Sequence, residues 1–165
     1  MKQIFAPWRM DYIISEKPEG CVFCDLPGQG INDETLILYR GAGAFVIMNR
    51  YPYVSGHLMV VPNRHLEHPL LLDPVEWSEI NDLVIPCVQA LKNVFNPHGF
   101  NIGMNIGQAG GAGIHEHIHV HVIPRWTGDN NMVPVLTDTR VIPESLEETW
   151  KKLIPEFKKL EQVSK

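Results

Sequence analysis

Four of the eight histidines, His115, His117, His119 and His121, occupy every second position of residues 115–121, with Glu116, Ile118 and Val120 between them. Imidazole can donate, accept, attack or change charge near neutral pH. Side chains alternate faces along a strand. A strand over residues 114–124 would therefore set four imidazoles in a line about 6.6 Å apart, with Ile114, Ile118, Val120 and Val122 turned towards a core. A purely structural face has no use for repeated imidazole, and alternation with β-branched residues is not the pattern of an artificial tag. The row reads as a reaction surface.

Two further groups bear on the chemistry. Residues 107–113, from Gly107 through Gln108, Gly111 and Ala112 to Gly113, contain four glycines. Such backbone can bring consecutive N–H groups close to an anion. No Gly-Lys-Ser/Thr follows, and the expected next element is a strand instead of a helix, so neither common nucleotide-loop pattern applies. Beside a row of imidazoles, the loop reads as a phosphate cradle more readily than as a plain hairpin connection. Cys21 and Cys24 stand at Cys-x-x-Cys spacing, which is half of a tetrahedral zinc site or a pair of free thiols.

Elements must hold these groups in place. Residues 36–39 and 44–48 read as strands around a glycine-containing turn, and residues 57–62 as a buried strand. Asp73, Pro74 and Glu76 spell a helix start, followed at helical spacing by Trp77, Ile80, Val84, Cys87, Val88, Leu91 and Phe95. Pro86 predicts a kink. Residues 100–105 alternate as a strand able to pair with the histidine strand. From residue 143 to the end a terminal helix is expected, with Leu146, Trp150, Leu153, Ile154 and Phe157 on one face. Residues 1–34 read as irregular. The expectation is one α+β domain over residues 1–165.

Composition narrows the partners. The chain has 165 residues, 44% hydrophobic and 20% charged, enough for one sizeable core. A net charge of −5 argues against a broadly basic nucleic-acid surface. No apolar run approaches a membrane span, and the first residues lack the apolar core of a signal peptide. With three cysteines and no disulfide framework implied, the protein is expected to be soluble and cytoplasmic.

The run from His117 to Ile123 resembles the His-x-His-x-His-x-x motif of the histidine triad family. The likeness extends to residues 45–49, 56–62, 101–105 and 124–126. Pro7, Trp8, Arg9 and Tyr12, with Gly128, Asp129 and Asn131, resemble the branch holding bacterial diadenosine-tetraphosphate phosphorylases and fragile-histidine-triad hydrolases. The resemblance implies a five-stranded antiparallel sheet with a main helix and a C-terminal helix. It also implies cleavage of dinucleoside polyphosphates or related nucleoside phosphates, with a nucleotidyl-phosphohistidine forming on His119. His121 would meet phosphate, His117 would support the site, and the backbone of Gly111, Ala112 and Gly113 would hold nonbridging charge. Asn49 matches a ribose-contacting position and Asn105 a position near the phosphates. Many relatives carry Ser or Thr before the triad; this chain does not, which leaves Gln108 or His115 as side-chain donors.

The same resemblance completes a structural zinc site as Cys21, Cys24, His65 and His117, implies no cofactor needed for catalysis, and predicts a homodimer joined sheet edge to sheet edge, with terminal residues reaching the partner's site. It leaves open whether water or phosphate receives the nucleotidyl group. Two other classes compete: a metalloenzyme using the histidine cluster as ligands, and a nucleotide-binding module of low turnover.

Overall fold

The long helix begins where its sequence says it should. The Asp73 carboxylate accepts the N–H groups of Val75 and Glu76, both at 2.9 Å, and the Glu76 carboxylate accepts the Asp73 N–H at 3.0 Å. This is a complete capping box, with Pro74 at the first helical position. The computed structural model describes residues 20–129 and 142–163, with side chains described to residue 160. The motif residues Pro7, Trp8, Arg9, Tyr12 and Asn131 lie outside the described residues, as does the last part of the C-terminal segment.

Five strands form one antiparallel sheet: β1 (Ile37–Arg40), β2 (Ala44–Met48), β3 (Leu58–Pro62), β4 (Gly99–Met104) and β5 (Val120–Arg125), in the order β1-β2-β3-β5-β4. All residues of β2 and β3 are buried, as expected of short β-branched and aliphatic runs at a sheet centre. Among the described residues three α-helices accompany the sheet: a single turn α1 (Val22–Asp25), the long α2 (Pro74–Phe95) and the C-terminal α3 (Leu146–Val163). Helix α2 packs on β2, β3 and β5, while α3 packs on α2 and β1. The α3 face runs through Leu153, Ile154 and Phe157, all buried, and the Trp150 indole N–H donates to the Ile37 carbonyl at 3.1 Å. The α+β class and the antiparallel five-stranded sheet are as expected.

Three local readings need correction. Strand β5 starts at Val120, so residues 114–119 lie outside it. Pairing with β3 ends at Val60↔Val120. Beyond that point the Pro62 carbonyl is taken by the His117 ring, and the Ile118 N–H turns to the Leu66 carbonyl at 2.7 Å. Second, the segment before residue 34 carries α1 and a 3₁₀ turn at Leu26–Gln29, so residues 20–34 are not wholly irregular. Third, Trp77 is 45% exposed. The buried stripe of α2 starts one turn later, at Ile80, because the first turn is held by its caps instead of by burial.

Candidate active site

Of the four alternating histidines only three converge. His117, His119 and His121 are buried, as are Ile118, Val120 and Val122 between and after them, so both sides of the segment are covered. His115 is half-exposed and lines a separate shallow cavity of about 310 Å³ with Glu67, His68, Gly107 and Gln108. The four imidazoles are therefore not one line on one face. Each of the three buried rings has its own partner, and these partners assign the protons.

His117 Nε2 lies 2.9 Å from the Pro62 carbonyl. A carbonyl only accepts, so this nitrogen carries the hydrogen and the Nδ1 lone pair faces Cys21 Sγ at 3.3 Å and Cys24 Sγ at 3.7 Å. His119 Nδ1 lies 3.0 Å from the carbonyl of His117. It must donate there, which leaves Nε2 with an in-plane lone pair. Burial pushes the His119 imidazole below its ordinary value, partly offset by that carbonyl. A neutral ring with one nitrogen tethered and the other basic is the form a nucleophile needs.

His121 is set by a longer chain of bonds. Asn49 Oδ1 accepts the Tyr51 N–H at 2.9 Å, which orients the amide so that Nδ2 donates to His57 Nδ1 at 3.3 Å. The Tyr53 N–H donates to the same nitrogen, also at 3.3 Å. His57 Nδ1 is thus an acceptor, its hydrogen sits on Nε2, and that N–H donates to His121 Nδ1 at 2.9 Å. His121 must therefore carry its proton on Nε2, which is buried without a hydrogen-bond partner among the described residues. A buried N–H left unpaired costs about 1–3 kcal/mol, so the position fits a donor kept for a ligand. Burial, and next the neighbouring His119, lowers His121 to about 4.

His57 is 1% exposed and was not among the sequence candidates. A lone histidine opening an apolar strand gives no periodic signal. Its delivery depends on Gly56, at φ +79, where an added Cβ would stand 2.9 Å from Leu91 Cδ2 on helix α2. Two aromatic neighbours also escaped the sequence reading. The Tyr53 ring stacks at 4.7 Å from His57, and Phe23 lies 5.2 Å from His119.

The glycine loop sits at the surface beside this segment. Within it, the Gly111 N–H donates to the Gln108 carbonyl at 3.0 Å and the Ala112 N–H to the Gly107 carbonyl at 3.3 Å. Gly107 and Gly111 take φ of 67 and 84, backbone that glycine favours. Asn105 braces the loop by donating to the Gly111 carbonyl at 3.3 Å. The structure thus places Asn49 and Asn105 in loop-holding bonds, and Gln108 with His115 in the shallow cavity.

The expected metal ligands do come together. Ligand atoms of Cys21, Cys24, His65 and His117 all lie within 4.8 Å of one another. Cys24 Sγ is 3.4 Å from His65 Nδ1. The three sulfur–nitrogen separations of 3.3, 3.4 and 3.7 Å are close to the edges of roughly 3.5 Å that a tetrahedron with bonds of ~2.0–2.3 Å would have. Burial and the adjacent Cys21 push the Cys24 thiol up to about 11; a bound cation reverses that preference. Two soft sulfurs and two imidazoles suit zinc. The Pro62 bond to His117 Nε2 is the outer contact that orients such a ligand.

Buried alternating histidines, one with a free ring nitrogen and one with an unspent N–H, on an antiparallel α+β sheet define the class of histidine triad proteins. Residues 31–128 match the profile of the HIT domain, and the chain belongs to that family. It is 35% identical over 166 residues, 95% of this chain and 85% of the relative, to a protein of Mycobacterium tuberculosis named AP-4-A phosphorylase. It is 31% identical over 93 residues, 56% of this chain and 50% of the relative, to the asymmetrical bis(5'-nucleosyl)-tetraphosphatase of Schizosaccharomyces pombe. Among solved structures, a zinc-bound histidine triad family protein from Mycobacterium smegmatis superposes with a TM-score of 0.69 at 23% identity, covering 87% of this chain and 97% of the other.

Proposed function

We propose that this protein is an enzyme that cleaves dinucleoside polyphosphates, such as diadenosine tetraphosphate, by passing a nucleotidyl group through His119. The observation that carries the reading is the pair of opposed proton assignments: His119 tethered at Nδ1 and His121 presenting an unpaired Nε2–H. His119 Nε2 attacks the α-phosphorus, an N–P bond forms, and the P–O bond to the rest of the polyphosphate breaks, its electron pair leaving with that oxygen. The ring becomes cationic, and its Nδ1–H strengthens the bond to the His117 carbonyl. His121 Nε2–H donates to a phosphate oxygen whose charge rises during transfer. In the second half, an acceptor oxygen takes the nucleotidyl group and His119 is restored.

The alignment to the named phosphorylase is the longer of the two and supports inorganic phosphate as acceptor. Incubation with diadenosine tetraphosphate, with and without phosphate, tests this. ADP plus ATP appearing only with phosphate is expected; AMP plus ATP in both conditions would make water the acceptor. The backbone of residues 111–113 and the Asn105 side chain are the proposed phosphate neighbours, the Gly111 and Ala112 N–H groups exchanging their loop carbonyls for phosphate oxygens. Asn49 is the proposed ribose neighbour; Gln108 faces the separate shallow cavity.

Cys21, Cys24, His65 and His117 are the residues that would hold zinc, where it would supply a structural cross-link between α1 and the histidine segment. Among the described residues β4 pairs only with β5 and ends the sheet, which supports a homodimer joined along that edge. No helix among the described residues is long and apolar enough to cross a membrane. A metal held by the triad itself is disfavoured by geometry: His117 Nε2, His119 Nδ1 and His121 Nδ1 are all spent on other partners, and His121 Nε2 carries a proton.

A further inference from the structure

A hydrogen bond from Nδ1 fixes one atom of the His119 ring but leaves the plane free to tilt about that contact. Something must hold the plane if Nε2 is to point repeatedly at phosphorus, because a misplacement of about 1 Å can cost about 100-fold in rate. Two rings pack on His119: His121, at 4.7 Å and 82°, whose own N–H is reserved for the ligand, and Phe23. Phe23 is 3% exposed, and its ring centroid lies 5.2 Å from that of His119 at 59° and 5.6 Å from that of His117 at 88°. Its third aromatic contact, 6.4 Å to Phe45 on β2, anchors it to the sheet. Phe23 also stands between Cys21 and Cys24 in α1, a helix of four residues. One isolated turn has no stability of its own. Its order here must come from the Phe23 contacts and from the cluster formed by the flanking thiols with His65 and His117.

We propose that Phe23 is a positioning residue: it transmits the placement of the Cys-x-x-Cys turn to the nucleophile by packing on the His119 ring. One residue thereby joins the two centres, its ring packing against both His117 and His119. The inference rests on the reading of His119 as nucleophile, and it adds that the thiol turn acts on the rate of transfer and not only on folding.

The test compares Phe23→Ala and the milder Phe23→Leu with Phe157→Leu, a core truncation on α3, which packs on α2 and β1 away from the Phe23–His119 contact. Three quantities are read on the full chain: kcat and KM with diadenosine tetraphosphate plus phosphate, bound zinc per chain, and ¹⁵N–¹H spectra of the His119 ring without substrate. Phe23→Ala should lower kcat about 10- to 100-fold with KM changed by no more than about two-fold. Phe23→Leu should fall between it and the parent. Zinc content should be retained, and the His119 ring signals should shift or broaden in both Phe23 variants and not in Phe157→Leu. The proposal is overturned if Phe23→Leu keeps the parental kcat and ring signals, or if its kcat drops only in proportion to lost folded protein, as for Phe157→Leu. Failure of the underlying reading is separate: His119→Ala would then retain turnover, whereas the substrate-free ring spectra report the Phe23 contact in either case.

Discussion

At the scale of single residues, the site is an arrangement of protons. The Tyr53 N–H and the Asn49 amide make His57 Nδ1 an acceptor, His57 makes His121 Nδ1 an acceptor, and the His121 Nε2–H is left buried with no partner among the described residues. Replacing His57 by Leu keeps most of the buried volume but removes that instruction, so His121 can adopt either tautomer. We expect kcat to fall about 100-fold or more while the folded protein still binds nucleotide; steady-state kinetics with an equilibrium binding measurement will check it. His119 must be neutral to attack, and its burial holds the ring below the ordinary 6.5. The acid limb of kcat/KM should therefore lie below pH 6.5, activity being present above that limb and lost as pH falls through it. The motif His117, His119, His121 was legible in the sequence because alternation is a pattern. The roles of His57, Tyr53 and Phe23 were not, because each comes from a different segment and only tertiary contact brings them to the triad.

At the scale of elements, the sheet and the two long helices were legible because each has a strong local signal. The capping box at Asp73 and the apolar stripes of α2 and α3 are examples. The histidine segment was misread as strand from residue 114 because alternation alone does not say where a partner strand runs out of backbone donors and acceptors. Here Pro62 and Leu66 give their carbonyls to His117 Nε2 and the Ile118 N–H, which ends the ladder and leaves the triad half on strand, half on loop. Helix caps are independent of the site. Asp73→Ala should lower stability by about 1 kcal/mol, read from denaturant unfolding, without changing kcat per folded molecule. Truncating Phe157, which is fully buried on the inner face of α3, to Ala should cost about 3–5 kcal/mol in the same assay.

At the scale of the whole molecule, the triad rings are buried with the core, so pH acts on stability as well as on rate. The unfolded chain protonates His121 near 6.5, whereas the folded protein does so only near 4. Stability from this group is therefore full above pH 6.5 and declines as pH falls from about 6.5 to about 4, by at most about 3 kcal/mol. Thermal unfolding followed across that range should show the decline, and His121→Gln should flatten it. The central claim, however, is the covalent intermediate on His119. Its most direct test is intact and peptide mass spectrometry of the protein mixed with diadenosine tetraphosphate in phosphate-free buffer and quenched in base, in which a phosphoramidate survives. The account predicts an acid-labile adduct of one AMP unit on the peptide carrying His119, discharged on adding phosphate and missing from His119→Ala. Turnover with no adduct, an adduct on another residue, or undiminished turnover by His119→Ala would contradict it.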